Sequence, residues 1–336
     1  MPRNRPPSMA DVAAAAGVSH QTVSRVLNDH AHVRPDTRDR VMAAIETLGY
    51  RRNQAARTLV TARSATIGVM TTATTHVGPS STVLAIEEAA RAQGYFVSLG
   101  SLQAHDAASA RAILEQFMDQ GVDGVIVVAP IVDVARLIDD VDLPIPIVVV
   151  AARGDAPPAT DVRYVHVDQR GGAARATEHL LSLGHEKIVH LEGADGWYDA
   201  IERAAGFREA MSTAGRTAVS LPAHGWGAHN GHAIGSAVID EVRSGATAIF
   251  AANDYLALGV TRALWESDIR VPDDVSVVGF DDIDGSGFFL PPLTTVSQPF
   301  RALGEAAVHG LLSPGDAQST PIAAELIVRG SSAPRI

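Results

Sequence analysis

Histidine and acidic residues cluster at three places in this 336-residue chain, so metal binding is the first chemistry to consider. His185 and His190 are one residue too far apart for the histidine pair of a zinc-protease helix. The run from Asp281 to Gly285 lacks the spacing and the terminal glutamate of a calcium loop. The third group has the scatter of ordinary surface histidines: His224, His229 and His232. None of the three clusters predicts a metal site.

Covalent and cofactor chemistry also lack their residues. The chain has no cysteine, which excludes a thiolate nucleophile and an iron–sulfur cluster. No Gly-x-Gly-x-x-Gly motif follows the first predicted strand, and no Walker-type Gly-Lys-Ser/Thr occurs. No nucleophile is paired with a base. We therefore expect no cofactor and no enzymatic activity.

The polar residues between His20 and Asn28 offer a different chemistry. A helix over this range turns Val23, Val26 and Leu27 inward. Its outward side chains are His20, Gln21, Thr22, Ser24 and Arg25. Glutamine can bond adenine and arginine can bond guanine through paired hydrogen bonds, while Thr22 and Ser24 have the length to reach phosphates. Spacing alone leaves open an ordinary three-helix bundle with a solvated polar face.

Three predicted helices in residues 1–50 position these side chains. Ser8 and Asp11 have the spacing of a capping box at the start of the first helix. Gly17 opens a three-residue turn into the second helix, and the third helix spans about Asp36 to Leu48. Two short helices joined through a glycine turn, the second presenting Gln and Arg, are typical of a helix-turn-helix.

Charge is divided unevenly along the chain, whose net charge is −11. Residues 1–65 contain ten arginines and five acids, a net of +5, so the other 271 residues carry −16. A basic head on an acidic body directs the head toward phosphate and keeps the body away from it. The distribution therefore favours nucleic-acid binding by the N-terminal part.

From Thr66 onward, short β-rich runs alternate with helical stretches, which predicts parallel βαβ units. The predicted strands are Ile67–Met70, Phe96–Leu99, Gly124–Val128, Ile147–Val150, Tyr164–Val167, Lys187–Leu191, Ala248–Ala251 and Val275–Phe280. Two such series predict an α/β core of two doubly wound parallel-sheet subdomains, with a ligand cleft at the carboxyl ends of the strands. The pattern alone fits dehydrogenases and kinases equally well.

Three stretches of the chain resemble the lactose/galactose repressor (LacI/GalR) family of transcriptional regulators. They are Met9–Asn28 (MADVAAAAGVSHQTVSRVLN), Ala251–Gly259 (AANDYLALG) and Asp274–Asp282 (DVSVVGFDD). The resemblance spans essentially the whole chain. It implies a sequence-specific DNA-binding repressor with an all-α helix-turn-helix headpiece and a periplasmic-binding-protein-like core, and it puts His20, Gln21 and Arg25 at base-reading positions.

The resemblance also implies how the chain is divided. The expected parts are a headpiece at 1–50, a hinge helix and linker at 51–65, and an effector-binding core at 66–336. The N-subdomain of the core is expected at about 66–160 and 294–322, and the C-subdomain at about 161–290 and 326–336. The chain should then cross between the subdomains near 151–163, 283–293 and 322–326.

Residues 51–65 are expected, by the same resemblance, to fold into a short helix on the operator and enter the minor groove. Leu59 matches the leucine that wedges between base pairs, and Asn53 and Ala56 match neighbouring groove-facing positions. From the residues alone, a helix of about eight residues is marginal in water, so a plain flexible linker is the alternative.

A sugar site in the cleft is what the resemblance implies for the core. Arg203, Asn253 and Asp281 would contact hydroxyl groups and Trp226 would stack on the sugar ring. The other expected cleft residues are Asp199 and Phe300, with His76, Gly78 and Pro79 on the opposite wall. Trp226 as a core residue and Asp281 as a turn cap are the alternatives.

One position departs from the family's pattern. At the end of the fourth strand, where the resemblance leads us to expect an acidic sugar ligand, the chain has Ala151. One hydroxyl contact is therefore missing or is replaced by another residue such as Arg153. The effector is expected to be a small sugar, with galactosides as the first guess; a nucleobase or other small metabolite acting as corepressor is the alternative.

The expected partners follow from a single headpiece reading half a site. A homodimer should bind a pseudo-palindromic double-stranded operator. No leucine heptads follow the run Glu325–Arg329, so dimers are expected rather than tetramers.

The chain shows no signal peptide and no apolar run of membrane-spanning length, so we expect a soluble, cytoplasmic protein with no membrane partner. A sugar-binding transport receptor without DNA function is the remaining class, and the headpiece argues against it.

Overall fold

The computed structural model describes residues 7–27, 30, 32–51, 63–72, 76–102, 107–128, 131–139, 143–152, 162–313 and 321–335. The chain forms two compact units, Met1–Ser64 and Ala65–Ile336. The predicted hinge residues Asn53, Ala56 and Leu59 lie outside the described residues. No helix in the described ranges is long and apolar enough to cross a membrane.

The first unit contains three short helices, α1 (Met9–Ala16), α2 (His20–Leu27) and α3 (Pro35–Leu48). The Ser8 hydroxyl accepts a hydrogen bond from the Asp11 backbone N–H, and the Ser8 backbone N–H donates to the Asp11 carboxylate at 2.8 Å, as the capping box predicts. Gly17 ends α1 with φ +64°, a conformation that glycine adopts without steric cost. The core of this unit is built on fully buried valines, one from each helix: Val12, Val23 and Val41.

The first sheet of the core has the order β2-β1-β3-β4-β5, and all of its strands are parallel. Its strands are β1 (Thr66–Thr71), β2 (Phe96–Ser101), β3 (Gly124–Val128), β4 (Ile147–Val150) and β5 (Arg163–Val165). The helices between them are α4 (Val77–Ala92), α5 (Ala107–Gln120) and α6 (Val132–Asp139). A late helix, α12 (Phe300–Leu312), packs against α4 and so belongs to this subdomain.

The second sheet has the order β11-β10-β9-β8-β6-β7, and only β11 runs antiparallel to its neighbour. Its strands are β6 (Ile188–Glu192), β7 (Val219–Pro222), β8 (Ala248–Ala251), β9 (Ser276–Asp281), β10 (Thr294–Ser297) and β11 (Glu325–Ile327). Its helices are α7 (Gln169–Ser182), α8 (Tyr198–Thr213), α9 (Ala228–Ala233), α10 (Gly235–Arg243) and α11 (Asp254–Glu266).

Both sheets have the strand order of doubly wound α/β folds. The central strands β3, β8 and β9 are buried along their whole length, which is typical of parallel strands covered by helices on both faces. The winding reverses between β1 and β3 in the first sheet and between β6 and β8 in the second. Ligands bind at such reversals, beside the carboxyl ends of the strands.

Two of the three predicted crossings between the subdomains are wrong by several residues. β5 pairs with β4 in the first sheet, so 163–165 are not part of the C-subdomain and the chain leaves the first sheet only after Val165. β10 pairs with β9 in the second sheet, so 294–297 are not part of the N-subdomain and the chain crosses after Ser297. The reason is physical: a three- or four-residue strand belongs to the sheet whose strand it pairs with, and the local sequence does not specify that partner.

Candidate functional site

A cavity of about 600 Å³ opens in the core at the carboxyl ends of strands from both sheets. The N-subdomain contributes the segment that follows β1 and begins α4, from His76 to Pro79. The C-subdomain contributes residues that follow β6, β7, β8 and β9, and seven of the eight predicted effector residues line the cavity: His76, Pro79, Asp199, Arg203, Trp226, Asn253 and Asp281. A molecule bound here therefore contacts both subdomains.

Four buried side chains form a closed ring of hydrogen bonds, and two of them, Arg203 and Asp281, line this cavity. Arg203 donates from Nε to Gln169 Oε1 at 2.9 Å and from Nη2 to Asp281 Oδ1 at 3.1 Å. Gln169 Nε2 donates to Gln298 Oε1 at 2.8 Å, and Gln298 Nε2 donates to Asp281 Oδ1 at 2.7 Å. Gln169 begins α7 and Gln298 follows β10, so two ring members stand next to the crossings between the subdomains. We call these four residues the floor ring.

The guanidinium of Arg203 is held on every side. Its Nη1 donates to the backbone carbonyl of Ala252, and its central carbon lies 3.7 Å from the centroid of the Phe280 ring. Arg203 lies on α8, and Asp281 ends β9 with φ +106°. Burial raises the pKa of the Asp281 carboxyl, while the Arg203 charge and the hydrogen bond from Gln298 act in the opposite direction.

Asn253 supports the neighbouring elements as well as lining the cavity. Its Oδ1 accepts from the backbone N–H of Leu256 at 2.8 Å and thereby caps α11. Its Nδ2 donates to the backbone carbonyl of Trp226 at 3.1 Å and so holds the loop that carries this tryptophan. Each polar atom of the amide thus has one partner inside the protein, and Nδ2 keeps its second N–H for a ligand.

Asp199 is the carboxylate of the cavity that is not part of the floor ring. It lies in the first turn of α8, is partly exposed, and receives no hydrogen bond from the residues that the structure describes. Burial raises its pKa to about 6; the Arg203 charge lowers it, and the charges of Asp281 and Glu202 raise it further. Hydroxyl groups can donate hydrogen bonds to a carboxylate that lacks donors within the protein, and such bonds stabilise its ionised form.

Aromatic rings form one wall of the cavity. Trp226 is 7% exposed and lies so close to Gly193 that a Cβ there would come within 2.2 Å of the ring. The centroid of the Trp197 ring lies 5.6 Å from that of Trp226 and 5.3 Å from that of His76, with an edge-on arrangement in both pairs. Because His76 belongs to the N-subdomain and the tryptophans to the C-subdomain, these contacts join the two subdomains. Trp226 is therefore packed as a core residue and its ring also lines the cavity; its stacking on a sugar ring stays a prediction.

The eighth predicted residue, Phe300, borders a smaller recess that adjoins the cavity. The recess is about 40 Å³ in volume and shares Pro79 and Asp199 with the main cavity. Ala151 lines the same recess, at the position where an acidic side chain was expected. Arg153, the suggested replacement, lies outside the described residues.

Trp197, Gln169 and Gln298 are among the residues of this site that the sequence analysis missed. Trp197 could have been found as an aromatic residue between the end of β6 and Asp199, where strand ends form ligand sites. Gln169 and Gln298 gave no signal, because neither belongs to a motif and their pairing spans 129 positions of the chain. The described residues contain no group of three metal-ligating side chains.

The predicted DNA-facing side chains lie on the outer face of α2. His20, Gln21 and Arg25 are exposed, and Thr22 and Ser24 are partly exposed. The Ser19 hydroxyl caps the helix by accepting from the backbone N–H of Thr22 at 3.2 Å. The face opposite carries the buried Val23 and Val26, so packing against α1 and α3 turns the polar side outward.

Known proteins with the same organisation match both units. A family model described as "Bacterial regulatory proteins, lacI family" matches residues 8–53, and one described as "Periplasmic binding protein-like domain" matches residues 177–332. The chain is 34% identical over 316 residues to the lactose operon repressor of Escherichia coli (strain K12), covering 94% of this chain and 86% of that protein.

Two solved structures extend the comparison to three dimensions. The lac repressor dimer bound to operator and the anti-inducer ONPF matches with a TM-score of 0.86 at 32% identity, covering 98% of this chain and 100% of that one. The complex of the transcriptional regulator CelR with cellobiose matches with a TM-score of 0.69 at 28% identity, covering 97% and 100%. These matches confirm the predicted fold class, and with the helix-turn-helix motif they establish that this chain belongs to the lacI family of bacterial regulatory proteins, as a DNA-binding transcriptional regulator.

Proposed function

We propose that this regulator is a repressor whose operator affinity is controlled by a sugar bound in the core cavity. The observation that carries the proposal is the composition of the cavity: carboxylates, an amide and a guanidinium stand beside two tryptophans. Hydroxyl groups of a sugar match the polar groups, and the C–H face of a sugar ring matches an aromatic plate. The related CelR is described in complex with cellobiose, which supports the same class of ligand here.

The two-subdomain architecture supplies a route from sugar to operator. His76 and Pro79 stand on the N-subdomain, whereas Arg203 and Asp281 stand on the C-subdomain, so a bound sugar favours one relative orientation of the subdomains. A ligand shifts such an equilibrium only by its different affinities for the two states. Because the coupling is reciprocal, operator must weaken sugar binding by the same factor by which sugar weakens operator binding.

A homodimer on a pseudo-palindromic operator completes the proposal. One α2 helix reads half a site, and a two-fold dimer reads both halves. The related lac repressor is described as a dimer bound to operator. Exposed apolar side chains of the C-subdomain, including Phe288 at 87% and Leu290 at 90%, suit a protein–protein contact. Residues 51–65, with Asn53, Ala56 and Leu59, are proposed to bind the minor groove at the centre of the site.

The direct test is fluorescence anisotropy of a labelled operator duplex selected by the protein from a random library. Addition of a panel of galactosides and glucosides is expected to release the duplex with at least one sugar. Release would support a sugar-controlled repressor and identify its effector. Tighter operator binding with a purine, and no response to any sugar, would contradict the sugar site while leaving the headpiece intact.

Sugar binding is expected to depend on pH through Asp199. The Asp199 pKa is about 6, so the carboxylate is ionised above this pH, and hydroxyl donors bind the ionised form better than the protonated one. Affinity should therefore be constant above about pH 7 and should fall as the pH drops below about 6. Titration calorimetry between about pH 5 and 8, a range that brackets the Asp199 pKa, measures the dissociation constant of the sugar. The Asp199→Asn variant should lose this step; an unchanged step would assign it to another group of the cavity, such as His76.

A further inference from the structure

The lining charges of the cavity distinguish uncharged saccharides from phosphorylated ones. We propose that Asp199 acts as a charge filter, so that the site accepts uncharged saccharides and rejects the same saccharides when they carry a phosphate. This inference rests on the proposed function, because it concerns the same effector site.

The cation that would normally receive a phosphate is already engaged. Arg203 is the one arginine or lysine in the described lining of the cavity. Each of its three nitrogens donates a hydrogen bond, to Gln169, to the Ala252 carbonyl and to Asp281, and its side chain is 3% exposed. Phosphate recognition by arginine uses two parallel N–H groups of a free guanidinium edge. Three of its five N–H groups are already engaged and its guanidinium carbon lies over the Phe280 ring, so a phosphate would compete with these partners for it.

Three helices of eight or more residues begin at the described lining of the cavity, and of these α4 is the one without an acidic residue in its first turn. Its unpaired N–H groups are therefore the ones that could attract an anion. Its third residue is Pro79, which has no N–H, so Val77 and Gly78 supply the remaining donors. His76 precedes them, and burial lowers the pKa of this imidazole, which keeps it neutral at pH 7. The helix therefore offers two N–H groups with no cationic side chain beside them in the described lining.

Asp199 adds a charge of the wrong sign for an anion. Its carboxylate faces the cavity without a hydrogen-bond donor among the described residues, and the Asp281 carboxylate lines the same cavity. A phosphate brings a charge of about −1.5 to −2 at neutral pH, which these carboxylates repel. A sugar hydroxyl, by contrast, donates to Asp199 and satisfies it.

The recess beside Ala151 contains one carboxylate. Ala151 and Asp199 border it from opposite subdomains, and Asp199 is the one acidic residue of its described lining. The alanine brings no charge, so a ligand group that enters the recess meets Asp199 as its one negative charge.

The test compares matched ligands on the full-length protein by titration calorimetry at about pH 7.5, where Asp199 is ionised. Lactose and cellobiose are each paired with their 6′-phosphates, and adenine, guanine and hypoxanthine are included. We expect at least one uncharged disaccharide to bind, and its phosphate to bind about 100-fold more weakly or worse. Asp199→Asn should reduce affinity for the uncharged sugar about tenfold and shrink the discrimination against phosphate below about tenfold. Asp240→Asn, which changes an exposed carboxylate on α10 outside the lining of the cavity, is the control and should change both affinities by less than about threefold.

Two results would overturn the charge filter alone. One is a phosphorylated sugar that binds the wild-type protein as tightly as its uncharged parent. The other is an unchanged ratio in Asp199→Asn. A different result would contradict the proposed function: no saccharide, phosphorylated or uncharged, binds at concentrations up to about 10 mM. The charge filter would then be contradicted as well, whether or not a purine binds.

Discussion

Replacing Arg203 with methionine is expected to lower the free energy of unfolding of the core by about 3–5 kcal/mol and to abolish the response of operator binding to the effector. Methionine keeps an unbranched stem but removes the donors that reach Gln169, the Ala252 carbonyl and Asp281. Asp281 then keeps a buried charge with only the Gln298 donor among its described partners. A buried ionised group that loses its partner costs more than the pair contributed when intact.

Urea unfolding followed by circular dichroism measures this change, with a comparison of m-values to check that the unfolded state is unaltered. Arg216→Met is the matched control, because Arg216 pairs with Glu186 across a solvent-exposed surface. Such pairs contribute about 0–1 kcal/mol, so the control should stay close to wild type. The double variant Arg203→Met with Asp281→Asn should recover part of the loss, since it removes both buried charges and asparagine tolerates the positive φ of this position. A single variant as stable as the control would contradict the role given to the floor ring.

Replacing Arg25 with alanine is expected to weaken operator binding by about 2–6 kcal/mol, because a dimer loses one base contact in each half-site and each good contact contributes about 1–3 kcal/mol. Arg25 is exposed on α2 and extends from the same face as His20 and Gln21. The loss should be specific: the variant should discriminate less between bases at one position of each half-site. Anisotropy titrations against the selected operator and its single-base variants measure both effects.

The control for charge is Arg40→Ala, which removes an equally exposed arginine from α3. Loss of an arginine that contacts only phosphate weakens binding to all duplexes to a similar extent and makes the affinity less dependent on salt concentration. Arg25→Ala behaving in the same way, with no change in base preference, would contradict its assignment as a base-reading residue.

The sequence determined the local structure of the headpiece and most strands of the core. The capping box of Ser8 and the glycine turn at Gly17 depend on neighbours three or four positions away, and both are present. Buried parallel strands such as Gly124–Val128 and Ala248–Ala251 are short, continuous apolar runs, and the observed bounds equal the predicted ones. In each case the decisive interactions lie within one element, so a single stretch of sequence contains the information.

Elements whose existence depends on packing were not predicted. β7 (Val219–Pro222) is absent from the predicted strands, and residues 228–243 form two helices, α9 and α10, that meet at Ile234. Both helices pack closely on α11, because a Cβ at Gly231 or Gly235 would collide with it. The sequence pattern of one helix does not contain the position of its neighbour.

The effector site shows most clearly which features the sequence determines and which only the tertiary structure decides. Residue types and family resemblance identified the side chains that line the cavity, among them Asp199, Arg203 and Asp281. Only the tertiary structure decided that Gln169 and Gln298 close a ring with Arg203 and Asp281, and that Asp199 remains outside it. Those bonds join positions up to 129 residues apart, and their geometry depends on how two sheets bring their strand ends together. A sequence specifies which groups are available, whereas the fold decides which of them are already satisfied and which are left for a ligand.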